Sequence, residues 1–127
     1  MIKDFLIISC TGKNDSIGLR VNNNFIIKKF QTNIQNNESL VSNILVLFKK
    51  NNIKIDENFS IIVNMGPGSF SSIRVSISVA KGMHISKGAR LYGYKDSNLT
   101  KFNLESIEFL ITKNLLENKL IKPVYLS

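Results

Sequence analysis

Apolar positions in this chain recur with two periods, and the change between them marks out its elements. Residues 4 to 9, DFLIIS, are nearly continuously apolar between a charged start and the polar stretch CTGKND, the pattern of a buried strand. SIGLRV and FIIKKF then flank NNN, and asparagine accepts the left-handed backbone of a tight turn, so the first third predicts three strands joined by hairpins. From Glu38 to Lys50 the period lengthens: Leu40, Val41, Ile44, Leu45, Leu47 and Phe48 recur at spacings of three and four, the signature of a helix. Their apolar arc, roughly 160° wide, exceeds the stripe that one core contact requires. Lys49 and Lys50 fall where a helix dipole favours cations, and NN closes the segment. FSIIVNM (59 to 65) reads as a second buried strand, residues 70 to 86 as a helix, and ARLYGY as a short strand. Two weaker helical stretches follow, Ser97 to Phe102 and Leu104 to Asn118. The order β-β-β-α-β-α-β-α predicts an α/β fold: one mixed sheet with helices on its faces, in a single domain over residues 1–127.

Composition narrows the setting. At 127 residues, 43% hydrophobic and 20% charged, the chain is large enough for a core without disulfides or metal. Cys10 is the single cysteine, and no Cys/His cluster has zinc spacing, so a reducing, cytoplasmic location is expected. No apolar run approaches the roughly 20 residues of a bilayer span, and MIKDFLIISC lacks a signal-peptide cleavage pattern, so no membrane partner is expected. The net charge of +8 invites nucleic acid, because lysines favour approach to phosphate. Those lysines arrive with much asparagine and isoleucine, a bias that an AT-rich coding sequence produces without selection for binding.

NMGPGSFSSIRV (64 to 75) poses a sharper question, whether its glycines cradle a phosphate or let a helix sit close to something else. Gly66 and Gly68 permit close backbone approach, Pro67 fixes φ and removes a donor, and Ser69 is placed to cap the following helix with its hydroxyl. Amides at such a helix start can hold an anion. The Walker pattern, however, wants a lysine followed by Ser or Thr, and the dinucleotide fingerprint wants a third glycine and a later acid; GPGSFSSIR supplies neither. In the helix itself Phe70, Ile73, Ile77 and Ala80 share one sector, while Val75, Val79 and Met83 fall nearly opposite, with Ser72 and Gly82 beside them. One sheet covers only one of these faces. The other admits a second helix at close range, either Glu38 to Lys50 or one from a partner, and the surplus apolar surface of both helices favours the partner.

Single candidates are weak. His84, the only histidine, lacks a metal or triad partner and is expected at a core edge in the sector of Ile77 and Ala80. Asp4, Asp15 and Glu38 show no acid–base pairing, Cys10 reads as a small buried residue, and Ser69 has no visible base. No catalytic, cofactor-binding or metal-binding residue is assigned.

GPGSFSSIRVSISVAKGM (66 to 83) resembles the GPGSFTGLRIGLATAKGL segment of the TsaB (YeaZ) family, a bacterial partner in making threonylcarbamoyladenosine on tRNA. FLIISCTGKNDSIGL aligns without gaps on that family's ILAIDTSTEACSVAL-type opening, KPVYLS (122 to 127) is similar to its closing PxYLR, and NNESLVSNILVLF matches its HSExLxPxI helix in length and apolar pattern. The resemblance runs from residue 5 to about 94 and covers the last six. It implies an actin-like ATPase (ribonuclease H-like) lobe without catalytic power, paired through the two helices with a TsaD-type subunit and joined by a TsaE-type ATPase. ATP and magnesium would enter only through that complex. Ser9 stands where the family usually has Asp, Asn36 replaces its His, and Ser71, Ser72 and Ser76 replace Thr-Gly and a later Gly. Only about thirty residues separate Tyr94 from the closing motif, too few for the family's second lobe, which is expected to be largely absent.

These readings predict a scaffold that docks Glu38 to Lys50 and Ser69 to Ser86 on a TsaD-type subunit, with tRNA reached through the complex. The contact candidates are Leu40, Ile44, Phe48, Ser72, Val75, Val79 and Met83, with self-pairing of the same helices when the partner is absent. One alternative is a basic tRNA-binding module using Arg74, Lys81 and Lys87. Another is a glycoprotease-like or nucleotide-hydrolase-like enzyme, against which the missing carboxylate and lobe count.

Overall fold

The structure, a computed structural model, describes residues 2–30, 38–119 and 121–124. Three strands, β1 (Asp4–Ser9), β2 (Ser16–Val21) and β3 (Asn24–Lys29), are followed by α1 (Glu38–Lys50), β4 (Phe59–Asn64), α2 (Phe70–Lys87), β5 (Arg90–Tyr94) and α3 (Leu104–Thr112). The strands form one sheet in the order β3-β2-β1-β4-β5. β2 is antiparallel to β1 and β3, whereas β4 is parallel to β1 and β5. Asn22 and Asn23, at φ 52° and 64°, make the tight β2–β3 turn that NNN predicts.

The apolar runs of β1 and β4 are explained by helices on both faces of the sheet. Leu6, Ile8, Ile61 and Val63 face a core shared with Leu40, Ile44, Leu47 and Phe48 of α1 and Ile73, Ile77 and Ala80 of α2. The alternate residues Phe5, Ile7 and Ile62 face a smaller core with Tyr94 and with Ile107 and Leu110 of α3.

Four details depart from the sequence reading. The buried side of α2 comprises Ser72, Ile73, Ser76, Ile77 and Ala80, so its centre lies between the two predicted apolar faces and Phe70 turns outward. Serines suit this side because they are small: α2 crosses β4 and β5, and the buried Ser76 hydroxyl is satisfied by donating to the Ile73 carbonyl at 3.1 Å. His84 is exposed, not at a core edge; its Nδ1 lies 2.6 Å from the Ala89 carbonyl, which requires the proton on that nitrogen, and Gly88 at φ 76° ends the helix. The predicted helix from Ser97 shrinks to a 3-10 turn at Asp96–Asn98, and α3 stops at Thr112 because Asn114 takes φ 57°. Beyond that turn Glu117 exchanges two backbone hydrogen bonds with Gly93, at 2.8 and 2.7 Å, and covers the outer edge of β5. Among the described residues no helix is long and apolar enough to cross a membrane.

Candidate functional site

The glycine corner between β4 and α2 is a junction of chain segments remote in sequence. Gly66 has φ 104°, and a Cβ there would run into the Val124 carbonyl. Its N–H donates to Asn64 Oδ1 at 2.8 Å, and its carbonyl accepts from the Asp96 amide at 2.8 Å. Pro67, after a cis peptide, is exposed. A Cβ on Gly68 would come within 2.8 Å of Thr11 Cβ, so this glycine is needed for close approach of the β1–β2 loop. The Ser69 amide donates to the Thr11 carbonyl at 2.9 Å, and Val124 donates to the Met65 carbonyl at 2.7 Å. The Gly66 and Ser69 amides are thus engaged by the chain itself.

Ser69 occupies the N-cap position with extended backbone, but its hydroxyl makes no capping bond, contrary to expectation. The oxygen instead lies against Gly12, where an added Cβ would come within 2.9 Å of it.

Behind the corner, polar groups are buried among apolar neighbours. Asn64, fully buried, donates to Ser9 Oγ at 3.2 Å and to Asp96 Oδ1 at 2.9 Å while accepting from Gly66, so the amide is fully used in tying β1 and β4 to the turn after β5. Tyr94 places its hydroxyl beside Ser9 and Asn64, without a hydrogen bond among the described residues. Burial raises its pKa, opposed by those two neighbours. Asp15 is buried too: Oδ1 accepts the Gly12 N–H at 3.0 Å, and Oδ2 has no partner among the described residues. Burial raises this carboxyl above its ordinary value, opposed by the Gly12 and Thr11 amides. Burial, and then the charge of Asp15, push the Cys10 thiol far above the usual thiol range, so it stays protonated.

Asn64, Asp96 and Thr11 are the residues sequence reasoning missed, and Asp15, weighed there only for acid–base pairing, joins them; the signal was an asparagine closing an apolar run just before the glycines. Together they brace the corner and present no nucleophile paired with a base. Among the described residues no group of three or more His, Cys, Asp or Glu could hold a metal ion.

The predicted contact residues divide. Leu40, Ile44, Phe48 and Ser72 are buried in the chain's own core and offer no surface, which corrects their assignment. Half-buried Val75 and Val79 line a shallow groove of about 370 Å³ on the outer side of α2 with Phe70, Ser71, Arg74 and Ser78, and half-buried Met83 packs against the core. The outward side of α1 is formed by Val41, Leu45 and Val46, with Leu45 61% exposed. Arg74 stacks over the Phe70 ring at 5.2 Å. Lys81 shares the sector of Arg74, while Lys87 lies on another side of the helix, so the three basic candidates do not form one stripe. Asn36 and residues 125–127 of the closing motif lie outside the described residues.

A family model described as "TsaD: tRNA N6-adenosine threonylcarbamoyltransferase" matches residues 31–98, more than half of the chain, including α1, the corner and α2. No curated protein matches in sequence. Among solved structures, YeaZ from Pseudomonas aeruginosa is similar with a TM-score of 0.69 at 15% identity, over 76% of this chain and 46% of that one. A second structure, an uncharacterized protein with similarity to peptidase YeaZ from Pseudomonas aeruginosa, gives a TM-score of 0.65 at 16% identity, over 76% of this chain and 45% of that one. The fold is thus YeaZ-like, as the resemblance implies, and the chain spans just under half the length of these structures.

Proposed function

The chain belongs to the family of TsaD, tRNA N6-adenosine threonylcarbamoyltransferase, and we propose that it is a non-catalytic scaffold subunit in the threonylcarbamoyladenosine modification of tRNA. It acts by docking α1 and α2 on a TsaD-type subunit and stabilising that subunit's active conformation. The observation that carries this reading is the outer side of the two helices: with their inner sides already in a core, they still expose Val41, Leu45, Phe70 and Ile85. The engagement of the Gly66 and Ser69 amides by the chain itself, and the lack of a nucleophile–base pair among the described corner residues, support a scaffold over an enzyme.

The test is co-expression with the TsaD homologue of the same organism, read by size-exclusion chromatography with light scattering. Co-elution at a defined ratio is expected, and Leu45→Glu should weaken the complex about ten-fold or more while leaving the thermal melt of the isolated chain within about 2 °C, since an exposed substitution barely touches stability. Separate elution of two folded subunits, with ATP and tRNA present, would overturn the proposal. So would ATP hydrolysis by the purified chain at its own saturable site.

A further inference from the structure

The two edges of the sheet are treated differently. Glu117 covers the edge of β5, whereas β3 pairs only with β2 among the described residues. The register says which β3 groups are left over. A two-residue turn makes Val21 and Asn24 a hydrogen-bonded pair; by alternation Leu19–Ile26 and Ile17–Lys28 are bonded pairs too. The N–H and C=O groups of Phe25, Ile27 and Lys29 therefore point away from the sheet, a row able to receive another strand.

Beside this edge, between β3 and α1, runs a groove of about 480 Å³ lined by Ile26, Ile27, Lys28, Val46, Leu47 and Lys50, with Asn51 at its end. Ile27 and Val46 are exposed. No carboxylate lines the groove, and neither lysine has an ion-pair partner among the described residues. The surface thus combines an open strand edge, an apolar floor and unpaired positive charge.

We infer that the β3 edge and this groove dock an extended acidic segment of a partner protein. The segment adds as a sixth strand, lays apolar side chains against Ile26 and Val46, and sets carboxylates against Lys28 and Lys50. A second copy of this chain is disfavoured by its net charge of +8. Nucleic acid would use the lysines but neither the strand edge nor the apolar floor. This surface meets the outer side of α1 at Val46 but includes neither Leu45 nor Phe70, so Lys28 and Lys50 test it apart from the scaffold reading.

The test is an NMR titration of the full chain with the peptide Val-Thr-Glu-Thr-Val-Thr-Glu and with its counterpart carrying Lys for Glu. The acidic peptide is expected to shift the Phe25, Ile27 and Lys29 amides and slow their hydrogen exchange, leaving exchange at Ile26 and Lys28 unchanged, and to lose its effect as salt rises. Lys28→Glu with Lys50→Glu should weaken binding about ten-fold or more, as like charges then face each other. Ile27→Pro is the second variant; it deletes an outward N–H without removing a ladder bond and should abolish binding. The inference is overturned by equal binding of the lysine peptide, by shifts on α2 in place of β3, or by a stronger response of these amides to a single-stranded RNA at the same salt. Protection of these three amides in the free chain, as a monomer or as a dimer by light scattering, also overturns it.

Discussion

The two faces of the sheet are closed in different ways. On one, α1 and α2 bury their inner sides in a large core, and their outer sides remain apolar at Val41, Leu45, Phe70 and Ile85. On the other a single short helix, α3, covers a smaller core, and its outer side carries Glu105, Glu108 and Thr112 beside the exposed Phe109, with Lys113 over that ring at 5.8 Å. Glu108 also reaches Arg20 of β2 at 2.8 Å, an exposed ion pair worth under about 1 kcal/mol. Both faces satisfy the sheet. The first leaves more apolar surface, at Val41, Leu45, Phe70 and Ile85 against Phe109 on the second, and the scaffold reading rests on that excess.

Adjacent isoleucines on β4 break or sustain this contrast most sharply, since Ile61 faces the two-helix core and Ile62 the α3 core. Each change to alanine should destabilise by about 2–5 kcal/mol in urea unfolding, and Ile61→Ala should be the larger, because two helices wall its cavity whereas one short helix can settle into the other. Equal losses would mean that the faces are equally rigid.

Asp15 gives a pH slope. Its carboxyl is raised above 3.8 by burial, so the folded chain holds this proton to higher pH than the unfolded chain does. The stability that it contributes is complete below 3.8 and is lost as pH rises through the folded value. Asp15→Asn keeps an acceptor for the Gly12 N–H and removes the titration, so the variant should gain on the parent between acid and neutral pH in thermal melts. A constant difference across that range would place the carboxylate in contact with water.

The smallest effects compare the two helix starts. Asn103 caps α3 by accepting the Ser106 N–H at 2.8 Å, while Ser69 makes no such bond to α2. Asn103→Ala should therefore lose about 1 kcal/mol and Ser69→Ala about 0.5 kcal/mol or less, by the same unfolding measurement.

Much of this was legible in the chain. The strand runs, the span of α1 and the length of α2 followed from periodicity, because burial on one or two faces writes directly into apolar spacing. The inward side of α2 did not follow. Ser72 and Ser76 count as polar in any pattern, yet a helix lying close on a sheet selects for size, and a small hydroxyl bonded to its own helix serves. The end of α3 was hidden by a single left-handed asparagine, and the cover on β5 by a pairing across remote sequence. At the corner the glycines announced a close approach, but nothing local could tell that Thr11 and Val124 were the approaching groups.

That corner has a mechanical meaning. Thr11 holds the Ser69 amide, Asp96 holds the Gly66 carbonyl, and Val124 holds Met65, so four stretches of the chain are buckled together at the first turn of α2. Residues 121–124 are thereby tied, through the Met65 carbonyl, to the root of the helix that the scaffold reading docks. Whatever shifts residues 121–124 is therefore expected to be felt first at the glycines, where the backbone has no side chain to yield.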